Sequence, residues 1–356
     1  MLCQSQNGCL FYRKGCLYYG NAVEEEAELL MKLPMGIAKR LLCKMRLMER
    51  LLRLEPRFAV PYESGFLMSW NGALYYVDRE NRSVRCMHKY REGMNNPLSI
   101  NKIEEIDGFS DGYVYGDYWG NPHKEAVSIY RLDKSGVKCV YSFQPEQVLH
   151  IHGIVADQKT GRVLICTGDK DEESAIWEAF DDFQTVRPIV QGSQIYRTCA
   201  PYITKSGILY ATDTPLCDNG IYLYCQEPQQ IRKIYDMPGP CIYAMRICQE
   251  KKPDLFVFAT SVEPDSNLPS WRYRFTYRLG PGVKSRWVNI VVGNPQAGFQ
   301  TVTRLKKDML PMLLFQFGNA AFPYQKTAGR LYCTATAVKK QDGKTLCLRI
   351  EEQEGE

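Results

Sequence analysis

Hydrophobic positions change their rhythm near residue 57. Before it, after a short apolar hairpin pattern, residues 23–55 repeat apolar side chains at three- and four-residue steps, the period of a helix. Ile37, Leu41, Met45, Met48 and Leu52 make one such stripe. Leu42, Leu47, Leu51 and Leu54 widen it, and Lys39, Arg40, Lys44, Arg46, Arg50 and Arg53 fill much of the remainder. Glu24, Glu25 and Glu26 crowd the first turn, where negative charge favours a helix start. Pro34 and Gly36 divide the pattern and Pro56 ends it. Upstream, Cys9-Leu10-Phe11-Tyr12 and Cys16-Leu17-Tyr18-Tyr19 flank Arg13-Lys14-Gly15, which predicts a hairpin.

After Arg57 the period is that of strands. Short apolar and aromatic runs alternate with Gly, Asp, Asn and Pro turns. The runs are Gly65–Trp70, Ala73–Val77, Tyr113–Tyr118, Ala126–Leu132, Gly161–Cys166, Gly207–Ala211, Gly220–Cys225, Leu255–Ala259, Tyr273–Tyr277, Met312–Phe317 and Arg330–Ala335. Similar turns recur at Asp78–Asn81, Asp133–Gly136, Asp181–Phe183, Gln226–Pro228, Leu279–Gly282 and Gln341–Gly343, roughly 45–60 residues apart. That is the length of a four-stranded propeller blade. The expected fold is all-β: a single β-propeller of about six blades over residues 58–356. Residues 1–57 supply a hairpin, which can close the ring, and amphipathic helices packed on it. A two-sheet sandwich competes, but it needs long unrepeated connections.

Composition adds limits. The chain has 356 residues, with 23 Tyr that suit half-buried strands. A net charge of +5 from 45 basic and 40 acidic residues is too balanced for a nucleic-acid-binding face. The acidic end Glu351–Glu356 reads as a solvated tail. Fourteen cysteines make no C-x-x-C pair, and many sit in apolar runs, as Cys166, Cys225 and Cys333 do. With no secretory pattern at the N-terminus and no membrane-spanning apolar run, free thiols and a cytoplasmic setting are expected.

Two turns carry a resemblance. Ala179-Phe180-Asp181-Asp182-Phe183-Gln184-Thr185-Val186 and, more loosely, Leu132-Asp133-Lys134-Ser135-Gly136 resemble the Asp-box (BNR-repeat) turn of sialidase-like propellers, Ser/Thr-x-Asp-x-Gly-x-Thr-Trp. Asp181 and Thr185 stand in place, while the Gly and the closing Trp are missing from the first. The resemblance implies the propeller over residues 58–350 and, with it, a carbohydrate. Asp boxes are structural turns, so they carry no activity with them. Of the sialidase catalytic set, with its arginine triad, Tyr/Glu pair and acid Asp, only Arg197 matches, as one arginine.

The candidate chemistry lies where polar residues follow apolar strands. His150-Ile151-His152 holds two of four histidines, and positions i and i+2 of a strand share a face. They suit a divalent metal, or a base and a charge stabiliser; a hydrogen-bonded structural pair is the bland alternative. Asp117, Asp169, Arg197 and Asp213 occupy comparable places after other strands. In a propeller such positions converge on the axis. The expected catalytic set is therefore Asp117, His150, His152, Asp169, Arg197 and Asp213, with Tyr118, Trp119, Trp177 and Tyr196 as sugar contacts.

Paired carboxylates fit a glycosidase. Arg197 on a uronate carboxylate, with His150 or Tyr196 as base, fits a polysaccharide lyase. The expected ligand is a carbohydrate, and the cofactor is either none or one divalent ion at His150 and His152. The rival function is a non-catalytic scaffold, for example in surface polysaccharide synthesis. The basic helical segment 37–54 offers docking to a membrane surface or a partner protein, although packing on the propeller is the commoner use of such a stripe.

Overall fold

The protein is described by a computed structural model over residues 1–21, 26–249, 252–325 and 329–350. Glu24, Glu25 and the acidic tail 351–356 lie outside these residues.

The strands form seven antiparallel sheets, each made from consecutive segments of chain. The first comprises β1 (Cys3–Ser5), β2 (Gly8–Arg13), β3 (Cys16–Gly20) and β4 (Glu28–Lys32). Helices α1 (Ile37–Leu42) and α2 (Arg46–Leu51) follow. The second sheet holds β5 (Phe58–Tyr62), β6 (Gly65–Trp70), β7 (Ala73–Asp78) and β8 (Ser83–Lys89). The third holds β9 (Asn101–Ile103), β10 (Gly112–Gly116), β11 (Val127–Asp133) and β12 (Gly136–Phe143). The fourth holds β13 (His150–Asp157), β14 (Arg162–Gly168), β15 (Ala175–Phe180) and β16 (Thr185–Gln191). The fifth holds β17 (Tyr202–Thr204), β18 (Gly207–Ala211), β19 (Asn219–Cys225) and β20 (Gln230–Met237). The sixth holds β21 (Cys241–Ile247) and β22 (Leu255–Thr260), then α3 (Ser270–Phe275), then β23 (Trp287–Asn294) and β24 (Gly298–Lys306). After α4 (Met312–Phe315) the seventh has three strands, β25 (Asn319–Ala321), β26 (Arg330–Thr336) and β27 (Thr345–Arg349).

First strands of successive sheets touch one another, β1 with β5 and β9 with β13 and β13 with β17, so they line the axis. The fourth strand β24 alternates half-buried with exposed positions, as the outer edge of a blade must. Apolar clusters fill the gaps between blades; one joins Val114 and Ile129 of the third to Ile154, Ile165 and Trp177 of the fourth. The fold is a seven-bladed propeller. The ring closes where Cys3 bridges Tyr324 in parallel and Gln4 N–H donates to the Tyr324 carbonyl at 2.7 Å.

The blade count corrects the expectation of six, because the first 32 residues are a blade and more than a closing hairpin. Residues 28–32 are strand where a helical period was read. Leu17 pairs with Met31 and Tyr18 with Leu29, and Leu30 and Met31 are buried by neighbouring sheet. Two runs read as strands, Tyr273–Tyr277 and Met312–Phe317, overlap the helices α3 and α4 and lie in connections between strands. The Leu279–Gly282 turn lies in the β22–β23 connection; the hairpin of that blade turns at residues 295–297.

The helical segment departs most from expectation. It breaks into two six-residue pieces, and its stripe faces outward: Ile37 is 82% exposed, and Leu41, Met45 and Leu52 are exposed too. The inward face is charged. Arg50 is buried, with Nη1 2.6 Å from Asp308 and 3.3 Å from Asp342, and its Nε donates to the Phe315 carbonyl at 2.9 Å. Arg46 reaches Glu49, Glu55 and Asp342 at 2.9, 2.5 and 3.0 Å. The arginines clamp the first inter-blade connection to the seventh blade, and this orientation forces the apolar stripe into solvent.

The two Asp-box-like turns join consecutive strands. Asp181, Asp182 and Phe183 all have left-handed φ, at 49°, 53° and 69°. Asp182 then accepts from Ser110 N–H at 3.1 Å and pairs with Arg131, both in the preceding blade.

Candidate functional site

All connections that enter a first strand or leave a second strand lie on one face of the ring. His150 opens β13, while Asp169, Asp213 and Glu263 each follow a second strand. Their side chains therefore approach the axis from three blades.

His150 and His152 are both buried. A bulge makes their geometry. Ile151 pairs with Thr167 and Gly153 with Cys166, so His152 is the extra residue in β13. Two glycines leave the room: a Cβ at Gly168 would stand 2.8 Å from His152 Cε1, and one at Gly153 would stand 2.3 Å from the Cys199 carbonyl oxygen. His150 Nδ1 lies 2.7 Å from the Trp119 carbonyl, so Nδ1 carries the proton and Nε2 of the neutral ring is a bare lone pair. That Nε2 is 2.9 Å from His152 Nε2. Asp169 Oδ1 is 3.1 Å from His152 Nε2 and 3.6 Å from His150 Nε2. Tyr118 packs edge-to-face on His150, ring centroids 4.7 Å apart.

Arg197 completes the group. Its Nη2 lies 2.6 Å from Asp169 Oδ1, and its Nη1 donates to the Asp169 carbonyl at 3.0 Å. The Asp169 side chain, 39% exposed, is the one carboxylate of the cluster that reaches the mouth. Burial by itself pushes it up, but Arg197 and the two imidazoles outweigh that and hold it well below the usual carboxylate range. Burial pushes His150 down to about 4, against the opposing pull of Asp169.

Behind His152 is a second layer. Its Nδ1 is buried without a hydrogen-bond partner, and so is Asp213 Oδ1. His152, Cys199 and Asp213 have donor atoms all within 4.8 Å of one another. Cys199 Sγ lies 3.2 Å from Asp213 Oδ2. Glu263 is buried, accepts from Ser261 Oγ, and is pushed well above the carboxylate range by burial and then by Asp213.

Five of the six expected catalytic residues thus meet: His150, His152, Asp169, Arg197 and Asp213. Asp117 does not join them. Its carboxylate accepts from Ser128 N–H at 2.9 Å and faces Arg91 at 3.7 Å. Burial pushes it up to about 6. Of the expected sugar contacts only Tyr118 touches the cluster with its ring. Trp119 gives its carbonyl to His150 and lays its ring under Arg91 at 5.3 Å. Trp177 is core, edge-to-face with Phe143 and donating to Thr167 Oγ1 at 3.0 Å. Tyr196 packs against the apolar cluster of Leu164 and Tyr210 between the fourth and fifth blades.

Glu263, Cys199 and Tyr273 escaped the sequence reading. Glu263 follows the apolar strand Leu255–Thr260 in the same way that Asp169 and Asp213 follow theirs, so the same rule would have found it.

The donor spacing bears on metal. Around an ion with ligands near 2.1 Å, neighbouring octahedral positions stand about 3.0 Å apart. His150 Nε2, His152 Nε2 and Asp169 Oδ1 approach that triangle, and the Trp119 carbonyl fixes the outer nitrogen of His150 as an outer partner does at metal sites.

Comparison with known proteins adds the fold. No family description matches the sequence, and no characterised protein aligns with it by sequence. Among solved structures, an oligogalacturonate lyase from Vibrio parahaemolyticus superposes with a TM-score of 0.55 at 14% identity, over 97% of this chain and 87% of that one. A chain of a mitotic checkpoint complex superposes with a TM-score of 0.52 at 8% identity, over 98% and 88%. The chain therefore shares the propeller architecture with proteins of unlike roles.

Proposed function

We propose that this chain is a carbohydrate-active propeller whose central site takes an acidic sugar, with Arg197 and a divalent cation facing the sugar's carboxylate. The observation that carries the reading is the triangle of His150 Nε2, His152 Nε2 and Asp169 Oδ1, at 2.9, 3.1 and 3.6 Å. A cation there would be held by His150 Nε2, His152 Nε2 and Asp169 Oδ1, and His152 would then keep its ring proton on Nδ1, which is buried without a partner. The cation supplies charge neutralisation for a uronate, which acidifies the adjoining C–H. Arg197 orients the same carboxylate. Asp169 stays ionised, so Glu263, held in its acid form, is the residue that keeps a proton to give. The oligogalacturonate lyase among the structural neighbours agrees with an acidic sugar as ligand. Fourteen unpaired thiols support a cytoplasmic setting.

The test is metal analysis of protein purified without chelator, beside a His150→Ala/His152→Ala variant. Calorimetric titration with oligogalacturonate follows, with and without EDTA. One divalent ion per chain, lost in the variant, and uronate binding lost with EDTA and in Arg197→Met, are expected. Equal metal in both proteins removes the reading. A pure scaffold gives the opposite pattern: its partner binding survives these changes and fails when the outer helices are altered.

A further inference from the structure

The face that carries the central site also carries all four helices. α1 and α2 lie between β4 and β5, α3 between β22 and β23, and α4 between β24 and β25. α2 packs on α4 and α4 on α3, so they form one crescent beside the mouth. Glu263 and α3 belong to the same β22–β23 connection, which leaves the second strand on the face of the central site.

The crescent shows apolar side chains to solvent. No residue of α1 or α3 is buried. Beside Ile37, Leu41, Met45 and Leu52 on the first two helices stand Trp271, Phe275, Tyr277 and Met309, with Trp271 65% exposed. Leu268, Trp271, Phe275 and Tyr277 line a groove of about 630 Å³ together with Arg272 and Arg286. Isolated exposed apolar residues need no explanation, but the set that lines this groove does.

The unpaired charge of the crescent is mainly basic, since Glu49 of α2 is taken up by Arg46. Residues 266–287 contain Arg272, Arg274, Arg278, Lys284 and Arg286 and no acid; residues 35–48 contain Lys39, Arg40, Lys44 and Arg46 and no acid. The neighbouring carboxylates Glu49, Glu55, Asp308 and Asp342 are already paired with Arg46 and Arg50. Lys284 and Arg278 have surface partners, Asp218 at 3.0 Å and Asp265 at 3.4 Å. Arg272 and Arg286 instead lie over Trp271 and Tyr277, at 5.1 and 5.5 Å from the ring centroids. An aromatic ring at the level of a headgroup, with a basic head beside it, is what an anionic bilayer surface selects.

We propose that this crescent docks the site-bearing face onto an anionic lipid surface, with Ile37, Met45, Trp271 and Phe275 entering the headgroup region and Arg272, Arg274, Lys39 and Arg40 meeting lipid phosphates. The mouth of the central site then lies next to the membrane. A soluble polyanion selects the basic residues without the projecting apolar ones, and a second copy of the chain repels across two like-charged crescents.

The test is co-sedimentation of the full chain with phosphatidylcholine vesicles, with and without phosphatidylglycerol, at low and physiological salt. Binding to the anionic vesicles that weakens with salt is expected, with little binding to neutral ones. Arg272→Glu/Arg274→Glu should weaken it at least about tenfold. Trp271→Ser/Phe275→Ser and Ile37→Ser/Met45→Ser should weaken it too, and none of these side chains is buried, so circular dichroism should be unchanged. No preference for anionic vesicles at low salt overturns the proposal. So does binding that all three variants retain. Binding to heparin that Trp271→Ser/Phe275→Ser leaves intact, with no vesicle binding, assigns a polyanion. A dimer in sedimentation that becomes a monomer in that variant assigns a second copy.

Discussion

His152 Nε2 lies 2.9 Å from His150 Nε2, with Asp169 Oδ1 3.1 Å away on the same side. Two ring nitrogens at that separation cannot both present bare lone pairs to each other, so a proton or a cation must stand between them. The carbonyl of Trp119 decides which half of the arrangement is fixed, because it takes the Nδ1 proton of His150 and leaves Nε2 open.

Gly168 makes room for this pair. In Gly168→Ala the new Cβ meets His152 Cε1 at 2.8 Å and Arg197 Cγ at 3.2 Å. Metal and uronate binding are expected to fall about tenfold or more, since a displacement of this order breaks a donor triangle. The urea midpoint should move much less than the binding does. Unchanged binding in calorimetry would show that the ring position is not what the ligand reads.

Glu263 sets a pH dependence. Its folded value is raised, so between its ordinary value of 4.5 and that raised value the native state holds more protons than the unfolded one. Stability therefore declines as pH rises above about 4.5. Glu263→Gln removes that slope, and Asp213, Arg197 and Asp169 remain around it. Urea unfolding at pH 5 and pH 8 should show the variant gaining on wild type at the higher pH; a constant difference is the contrary result.

Asp117 predicts a second slope in a different place. Its ordinary value of 3.8 is raised to about 6 by burial. The difference in stability between Asp117→Asn and wild type should grow in favour of the variant by about 2.4 kcal/mol from pH 4 to pH 7. Since Asp117 makes none of the contacts that join the histidines to Asp169, metal content should stay the same.

Arg50 holds the seventh blade to the first connection. Removing the guanidinium leaves Asp342 with Arg46 and Asp308 with Lys307, each short of one partner. Arg50→Ala is expected to lower stability by about 3 kcal/mol, the low end of breaking a buried pair from one side, because those partners remain. Adding Asp308→Asn and Asp342→Asn should recover part of that loss in urea titrations.

The thiols separate by burial. Cys86, Cys139, Cys217, Cys248 and Cys347 are exposed, while Cys3, Cys9, Cys43, Cys166, Cys199, Cys241 and Cys333 are buried. A thiol reagent should modify the exposed five first in the native protein and all 14 after denaturation. A deficit after denaturation without reductant would mean disulfides.

The sequence by itself determined the class of fold and which polar residues gather at one end of the axis. Alternating apolar runs between Gly, Asp and Pro turns fix strand identity, because burial on a pleated sheet has a period of two whatever the sheet's neighbours are. Polar residues directly after such runs mark strand ends, and that rule placed His150, His152, Asp169, Arg197 and Asp213 together. The same rule also selected Asp117, which the third blade turns to Ser128, and the aromatic reading offered Trp177, which the core takes. Position along a strand is local; the direction in which a side chain finds space is not.

Only the tertiary structure decided the rest. Residues 28–32 become strand because β3 offers them an edge, against their own helical period. The 273–277 and 312–317 runs lie in connections where helices α3 and α4 form. The stripe Ile37, Leu41, Met45 and Leu52 points to solvent because Arg46 and Arg50 find Asp308 and Asp342 nearly 300 residues away in the chain. A hydrophobic pattern reports which residues share a face. Which way that face turns depends on the strongest partner that the closed ring brings near, and sequence periodicity does not contain it.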